Sequence, residues 1–93
     1  MSYISTSKTV FRALKKEGAV EILLFLYENK RARYSELKKI VKSEATLTRA
    51  LKALTEEGLL IRKLLDEKYR PTEYLLTERG EEIAKKLKEL SEI

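Results

Sequence analysis

The 93-residue chain has no cysteine, no histidine and no glutamine, and it has only one asparagine, one proline and three glycines. Without cysteine there can be no disulfide and no thiol chemistry. Without histidine, the common zinc sites and imidazole acid/base chemistry lose their usual residues. A hydrolytic or redox enzyme is therefore not expected, and no set of nucleophile, base and oxyanion donors can be named. No cofactor or metal is expected either. No apolar run approaches the roughly 20 residues needed to span a bilayer, and the start "MSYISTSKTV" lacks the apolar core of a signal peptide. A cytoplasmic, nucleoid-associated protein without a membrane partner is the expectation. The scarcity of amides in a chain that is 38% charged is compatible with a prokaryotic thermophile, archaeal ones included.

What the sequence does contain is positive charge, unevenly placed. The net charge is +5. From Lys8 to Arg70 there are 16 Lys/Arg against 9 Asp/Glu, whereas from Pro71 onward there are 4 against 6. Within Lys30 to Lys52 the count is 8 basic to 2 acidic, which favours a polyanionic partner over an acidic small molecule. A chain this short makes one domain and has difficulty burying a sufficient core alone, for which oligomerisation is a usual remedy.

Periodicity places the elements. "TSKTVFRALKK" carries Val10, Phe11 and Leu14 at helical spacing until Gly18 breaks it. "AVEILLFLYEN" repeats Val20, Leu23, Leu24 and Tyr27, and the apolar Ile22, Phe25 and Leu26 make it a central, buried helix. "KRARY" is a basic connector with room for a short strand. Ser35 is the expected cap of "ELKKIVK", whose Leu37, Ile40 and Val41 point inward. A further helix runs from the cap Ser43 to Gly58, with Leu47, Ala50, Leu51 and Leu54 within about 60° of one another. Its opposite side presents Ala45, Thr48, Arg49 and Lys52, with no acid until Glu56. "LLIRKLL" and "TEYLL" read as two strands joined by "DEKYRP". Pro71 suggests that the second strand is an edge strand. Thr77 is the N-cap of a last helix, with Ile83, Leu87 and Leu90 on one stripe and Ala84 beside it. Gly80 falls at its third position, where only close packing on a neighbour accounts for a glycine.

The fold class is mainly α with a small β-hairpin. Two short helices around a tight turn, a hairpin and a further helix follow the order of a winged helix-turn-helix with terminal dimerisation helices. The segment "LTEEGLLIRK", followed by "RPTEYLLTERG", resembles the HxlR and MarR-like groups of prokaryotic regulators, most closely the HxlR kind. The likeness covers Val20 to about Leu90. It includes the apolar helix core, the segment Arg33-Tyr34-Ser35-Glu36-Leu37, the run Leu54 to Arg62, and Pro71, Glu73, Tyr74, Leu76, Thr77 and Gly80. The family's frequent N-terminal cysteine has no counterpart, so thiol sensing does not carry over. The turn "IVKSEA" is shorter than the family's usual one. One domain over residues 1–93 is expected: an N-terminal helix to 17, the helix-turn-helix at 35–57, the wing at 59–76 and a C-terminal helix at 77–93.

The resemblance implies a transcription regulator that binds double-stranded DNA as a homodimer. By helical phase, Ser43, Ala45, Thr46, Thr48, Arg49 and Lys52 would meet the major groove. Arg33, Tyr34, Lys38, Lys39 and Lys42 would clamp phosphates. Arg62, Lys63, Lys68, Tyr69 and Arg70 would form the wing contact near the minor groove. Tyr74 and Leu76 read as core anchors of the wing. Val10, Phe11, Leu14, Ile83, Leu87 and Leu90 exceed the needs of one small core and are the expected dimer interface. The same residues also fit a winged-helix protein-interaction module, or a chromatin protein that tolerates any sequence. Salt separates these: DNA binding through 6 to 10 phosphate contacts loses on the order of 10³ to 10⁵ in affinity between 50 and 200 mM salt.

Overall fold

The computed structural model describes residues 9–64 and 72–93. Residues 9–14 are helical (α1), followed by α2 (Ala19–Asn29), β1 (Arg31–Arg33), α3 (Tyr34–Ile40) and α4 (Glu44–Glu56). The chain continues with β2 (Leu60–Leu64), β3 (Thr72–Leu76) and α5 (Glu78–Ser91). Among the described residues, no helix is long and apolar enough to cross a membrane.

Helix α2 is the hub of the fold. Gly18 precedes it at φ +86°, a left-handed position, and a Cβ there would come within 2.7 Å of Val41 Cγ2. Both the backbone and the space therefore favour glycine. The buried line of α2 is Ala19, Ile22, Leu23 and Leu26, whereas Val20, Leu24, Phe25 and Tyr27 are half-buried. This shifts the stripe expected from the sequence by part of a turn. In a helix apolar on nearly every side, periodicity alone cannot choose the most buried line. Leu37 from α3, Leu47 and Leu54 from α4, and Leu59 complete the fully buried set with Ile22, Leu23 and Leu26. Each such burial contributes about 1.5–3 kcal/mol, so none is dispensable in a domain whose whole stability is of order 5–15 kcal/mol.

Helix α3 starts at Tyr34, and its N-cap is Arg33 rather than Ser35. The Arg33 N–H donates to Glu36 Oε1 at 2.9 Å, the glutamate half of a capping box, and this bond fixes the start one turn ahead of that acid. Helix α4 keeps its expected frame. Ser43 is its N-cap, and Leu47, Ala50, Leu51 and Leu54 are buried. At its far end, Gly58 sits at φ +79°, and the Leu59 and Gly58 N–H groups donate to the Leu54 and Thr55 carbonyls at 2.9 and 3.0 Å. These are the two bonds of a Schellman motif.

The sheet has three antiparallel strands in the order β1-β3-β2. Strand β3 is therefore central, which corrects the edge position suggested by the proline. The basic connector becomes β1, and pairs Arg31 with Leu75, Ala32 with Tyr74 and Arg33 with Glu73. Pro71 itself lies outside the described residues. On the other side of β3, β2 pairs Arg62 with Tyr74 and Lys63 with Glu73. Alternation then puts Ala32, Tyr74 and Leu60 on the core face, where all three are buried.

Helix α5 packs on α2, and Gly80, Ala84 and Lys88 follow one another at four-residue spacing along it. Gly80 and Ala84 are buried, and Lys88 Nζ reaches Glu28 Oε1 at 2.6 Å. Ala84 is thus more buried than the stripe it stands beside, in which Ile83 and Leu87 are half-buried and Leu90 is 64% exposed. The close packing expected at Gly80 is present: a Cβ there would lie 2.0 Å from the Leu59 carbonyl oxygen.

Candidate nucleic-acid interface

The geometry of the outward side of α4 follows from that of the inward one. With Leu47, Ala50, Leu51 and Leu54 buried, the helical repeat leaves Ala45, Thr48, Arg49 and Lys52 exposed together. Thr46 is half-buried and its N–H donates to Ser43 Oγ at 3.3 Å, so this residue belongs as much to the cap as to the surface. Arg49 folds along its own helix, with Nε donating to the Ala45 carbonyl at 3.3 Å.

An acid does stand at the entrance to this helix. Glu44, its first residue, is exposed and pairs with Lys38 Nζ of α3 at 3.5 Å. An acid in a first helical turn is favoured by the helix dipole. It also occupies Lys38, one of the residues expected to clamp phosphate. Lys39 and Lys42 are exposed, and among the described residues neither enters an ion pair. Tyr34 is half-buried against the core, with its ring committed to packing as well as to the surface.

The two described wing cations diverge. Arg62 lies opposite Tyr74 on the face turned toward the helices, and Lys63 lies opposite Glu73 on the other face. A groove of about 470 Å³ between α4 and the sheet is lined by Thr48, Lys52 and the acid Glu56 of α4, Tyr34 of α3, and Arg62 and Tyr74 of the sheet. One residue or more from each of the three expected contact groups thus meets in one place. The Tyr74 phenol is held above its ordinary pKa of 10.0, chiefly by burial, with the Arg62 charge and hydrogen bond pulling the other way. Lys68, Tyr69 and Arg70 lie outside the described residues.

Sequence reasoning passed over Glu73 as a charge. It is only 7% exposed, on the sheet face opposite Tyr74, with Oε2 3.7 Å from Arg31 Nε and with Arg33 and Lys63 across from it on both neighbouring strands. The acid ties the basic connector to the wing. Glu57 and Arg79 were passed over as well: Arg79 Nη1 donates to the Glu57 carbonyl at 2.6 Å. The available signal for Arg79 was a cation in the first turn of a helix, where the dipole disfavours it.

Of the expected dimer residues, Phe11 and Leu90 are 60% and 64% exposed. Val10, Leu14, Ile83 and Leu87 are half-buried, the last three against the core. Ala13, not named from sequence, is the buried residue of α1. Among the described residues, no three His, Cys, Asp or Glu side chains are grouped so as to hold a metal ion.

Two helices around a tight turn, a paired hairpin with a third strand, and a closing helix define a winged helix-turn-helix protein. The profile of the HxlR-like helix-turn-helix family matches residues 13–93, and the chain belongs to that family. Among solved structures, it is similar to ytfH of Salmonella typhimurium, assigned as a transcriptional regulator. The identity is 30%, the TM-score 0.78, and the match covers 92% of this chain and 78% of that one. A protein of Porphyromonas gingivalis assigned to the MarR family of regulators matches at 26% identity and TM-score 0.74, over 92% of this chain and 85% of the other. The reduced form of the regulator YodB from B. subtilis, at 22% identity and TM-score 0.71 over 90% and 83% of the two chains, shares the fold. No curated protein sequence matches significantly.

Proposed function

We propose that the protein is a sequence-specific transcription regulator that binds double-stranded DNA as a homodimer, with α4 in the major groove and the wing near the minor groove. The observation that carries this reading is the exposed face of α4. Ala45, Thr48, Arg49 and Lys52 stand clear of the core there, with Arg62 across the groove; of the acids nearby, Glu44 is tied to Lys38, and Glu56 lines the groove with them. A phosphate backbone approaching this face meets cations and hydroxyls.

In this reading Arg49 is the principal base reader, suited to the O6 and N7 of a guanine. Thr46 and Thr48 meet thymine methyls or phosphates, and Ser43 brings the helix N-terminus near a phosphate. Arg33, Tyr34, Lys39 and Lys42 position the duplex, with Lys38 joining once it leaves Glu44. Arg62 serves the backbone between α4 and the wing, while Lys63, with Lys68, Tyr69 and Arg70, serves the wing. In this reading the chain is one DNA-binding domain, with the helix-turn-helix at 35–57, the wing at 59–76 and a helix at either end. Phe11 and Leu90, joined by the half-buried Val10, Leu14, Ile83 and Leu87, form the contact between copies and set two recognition helices about 34 Å apart on a pseudo-palindrome. The site of action is the nucleoid.

Selection of duplexes from a random pool tests the reading. The wild-type chain is expected to enrich a two-fold site, and Arg49→Ala to lose discrimination at one base pair per half-site, by about 1–3 kcal/mol. A base preference unchanged in the variant removes Arg49 from the reading role. Failure of the wild type to enrich any sequence overturns sequence-specific binding.

A further inference from the structure

The C-terminal end of α4 is held by side chains from both ends of the chain. Glu57, the residue on which α4 closes, offers a carbonyl and a carboxylate. Arg79, in the first turn of α5, donates from Nη1 to the carbonyl at 2.6 Å and sets Nη2 3.5 Å from Oε1. The same Oε1 accepts from Thr9 Oγ1 of α1 at 2.7 Å. The Glu57 side chain is 19% exposed and that of Arg79 39%, so the bonds between these two are part-buried, whereas the one from Thr9 is exposed.

Local rules do not account for Arg79. A cation at the N-terminal end of α5 opposes the dipole of that helix, and its neighbours Glu78 and Glu81 are the acids expected there. The position becomes favourable only through α4, whose C-terminal end carries the negative end of a second dipole and a carbonyl in need of a donor. Backbone contacts surround the pair. The Thr77 N–H donates to the Leu59 carbonyl at 3.0 Å, Thr77 Oγ1 donates to the Gly58 carbonyl at 2.6 Å, and Gly80 lies flush against Leu59. The exit of α4 and the entry of α5 are therefore packed as a single unit, with α1 joined to it through Thr9.

We propose that Glu57 is a positioning residue for DNA readout: with Arg79 and Thr9 it fixes the angle of α4 against the two terminal helices, and thereby the separation of the recognition helices in the dimer. This rests on the reading above, in which α1 and α5 join the two copies. The spacing between half-sites then depends on side chains that touch no base.

The experiment is selection with the full chain from a pool in which two randomised half-sites are joined by spacers of varied length. Wild type, Glu57→Gln, Arg79→Met and Arg79→Lys are compared, each checked for folding by circular dichroism and thermal unfolding. The wild type is expected to choose one spacing. Glu57→Gln and Arg79→Met are expected to broaden or shift it while keeping the base preference within each half-site. Their affinity for the wild-type site should fall about fivefold or more, with binding to an isolated half-site changed by less than about twofold. Arg79→Lys, which keeps the charge, should recover part of the spacing preference. Unchanged spacing and affinity in folded Glu57→Gln and Arg79→Met overturn the positioning role and leave the DNA reading standing. A wild type that enriches no duplex, or that shows no spacing preference, overturns the dimeric DNA reading and this inference with it.

Discussion

The two ends of α4 are built in opposite ways. At the N-terminal end one hydroxyl, Ser43 Oγ, accepts a single N–H at 3.3 Å, and the next two residues, Glu44 and Ala45, are exposed, with the single pair Glu44–Lys38 as the tie to α3. At the C-terminal end, two Schellman bonds, the Arg79 guanidinium, the Thr77 hydroxyl and the flush contact of Gly80 all converge within three residues, Glu57 to Leu59. A helix that must present a surface to a partner while keeping its aim needs this asymmetry. The presenting end keeps its N–H groups available for an anion, and the other end carries the anchorage.

Substitutions at the anchored end should therefore cost most. Gly80→Ala would place a Cβ 2.0 Å from a backbone carbonyl that the surrounding bonds hold in place. A loss of about 3 kcal/mol or more in urea unfolding is expected, together with weakened DNA binding, because α5 must move off the α4 exit. Gly58→Ala meets open space, with Arg79 Nη1 at 3.9 Å, so its cost is only that of the left-handed backbone, about 1–2 kcal/mol. At the open end, Ser43→Ala removes one long hydrogen bond. The expected loss is about 0.5–1 kcal/mol of stability. A Ser43→Ala cost equal to that of Gly80→Ala would erase the contrast between the ends.

The smallest expected effect lies in the floor beneath the open face. Burial raises the pKa of Tyr74 above 10.0 in the folded chain, so the native state binds this proton more tightly than the unfolded one. Its contribution is complete below the unfolded pKa and is lost as pH rises from about 10 through the folded value. Unfolding midpoints followed into that range should fall less steeply in Tyr74→Phe. Lys88, whose pKa is raised by its hydrogen bond and charge pairing with Glu28, contributes with the same sign, so part of the slope should remain in the variant.

The helices and their stops were legible because local rules and packing agree at them. Gly58 ends α4, Thr77 opens α5, and the misplaced Gly80 announces a close contact whose partner, Leu59, only the fold could name. The strand β1 was legible only as room for a strand, since three residues alternating arginine and alanine carry no apolar pattern of their own. Its pairing with β3 made β3 central, which no local signal near Pro71 could convey. Ser35 lost the cap because Glu36 reaches back to Arg33. On the candidate surface, phase correctly separated the exposed Ala45, Thr48, Arg49 and Lys52 from the buried stripe. The commitments of the charges were not readable. Glu44 with Lys38, Glu73 with Arg31 and Glu57 with Arg79 each join residues that only the fold makes neighbours.

The central placement of β3 has a mechanical meaning. A hairpin fastened along one edge can swing like a flap. Here the returning strand is laced on its other edge to Arg31, Ala32 and Arg33, and Arg33 runs directly into α3. A pull applied to the hairpin is thus borne in shear by the β1–β3 bonds and delivered to the first helix of the helix-turn-helix, so that the wing works as a strut.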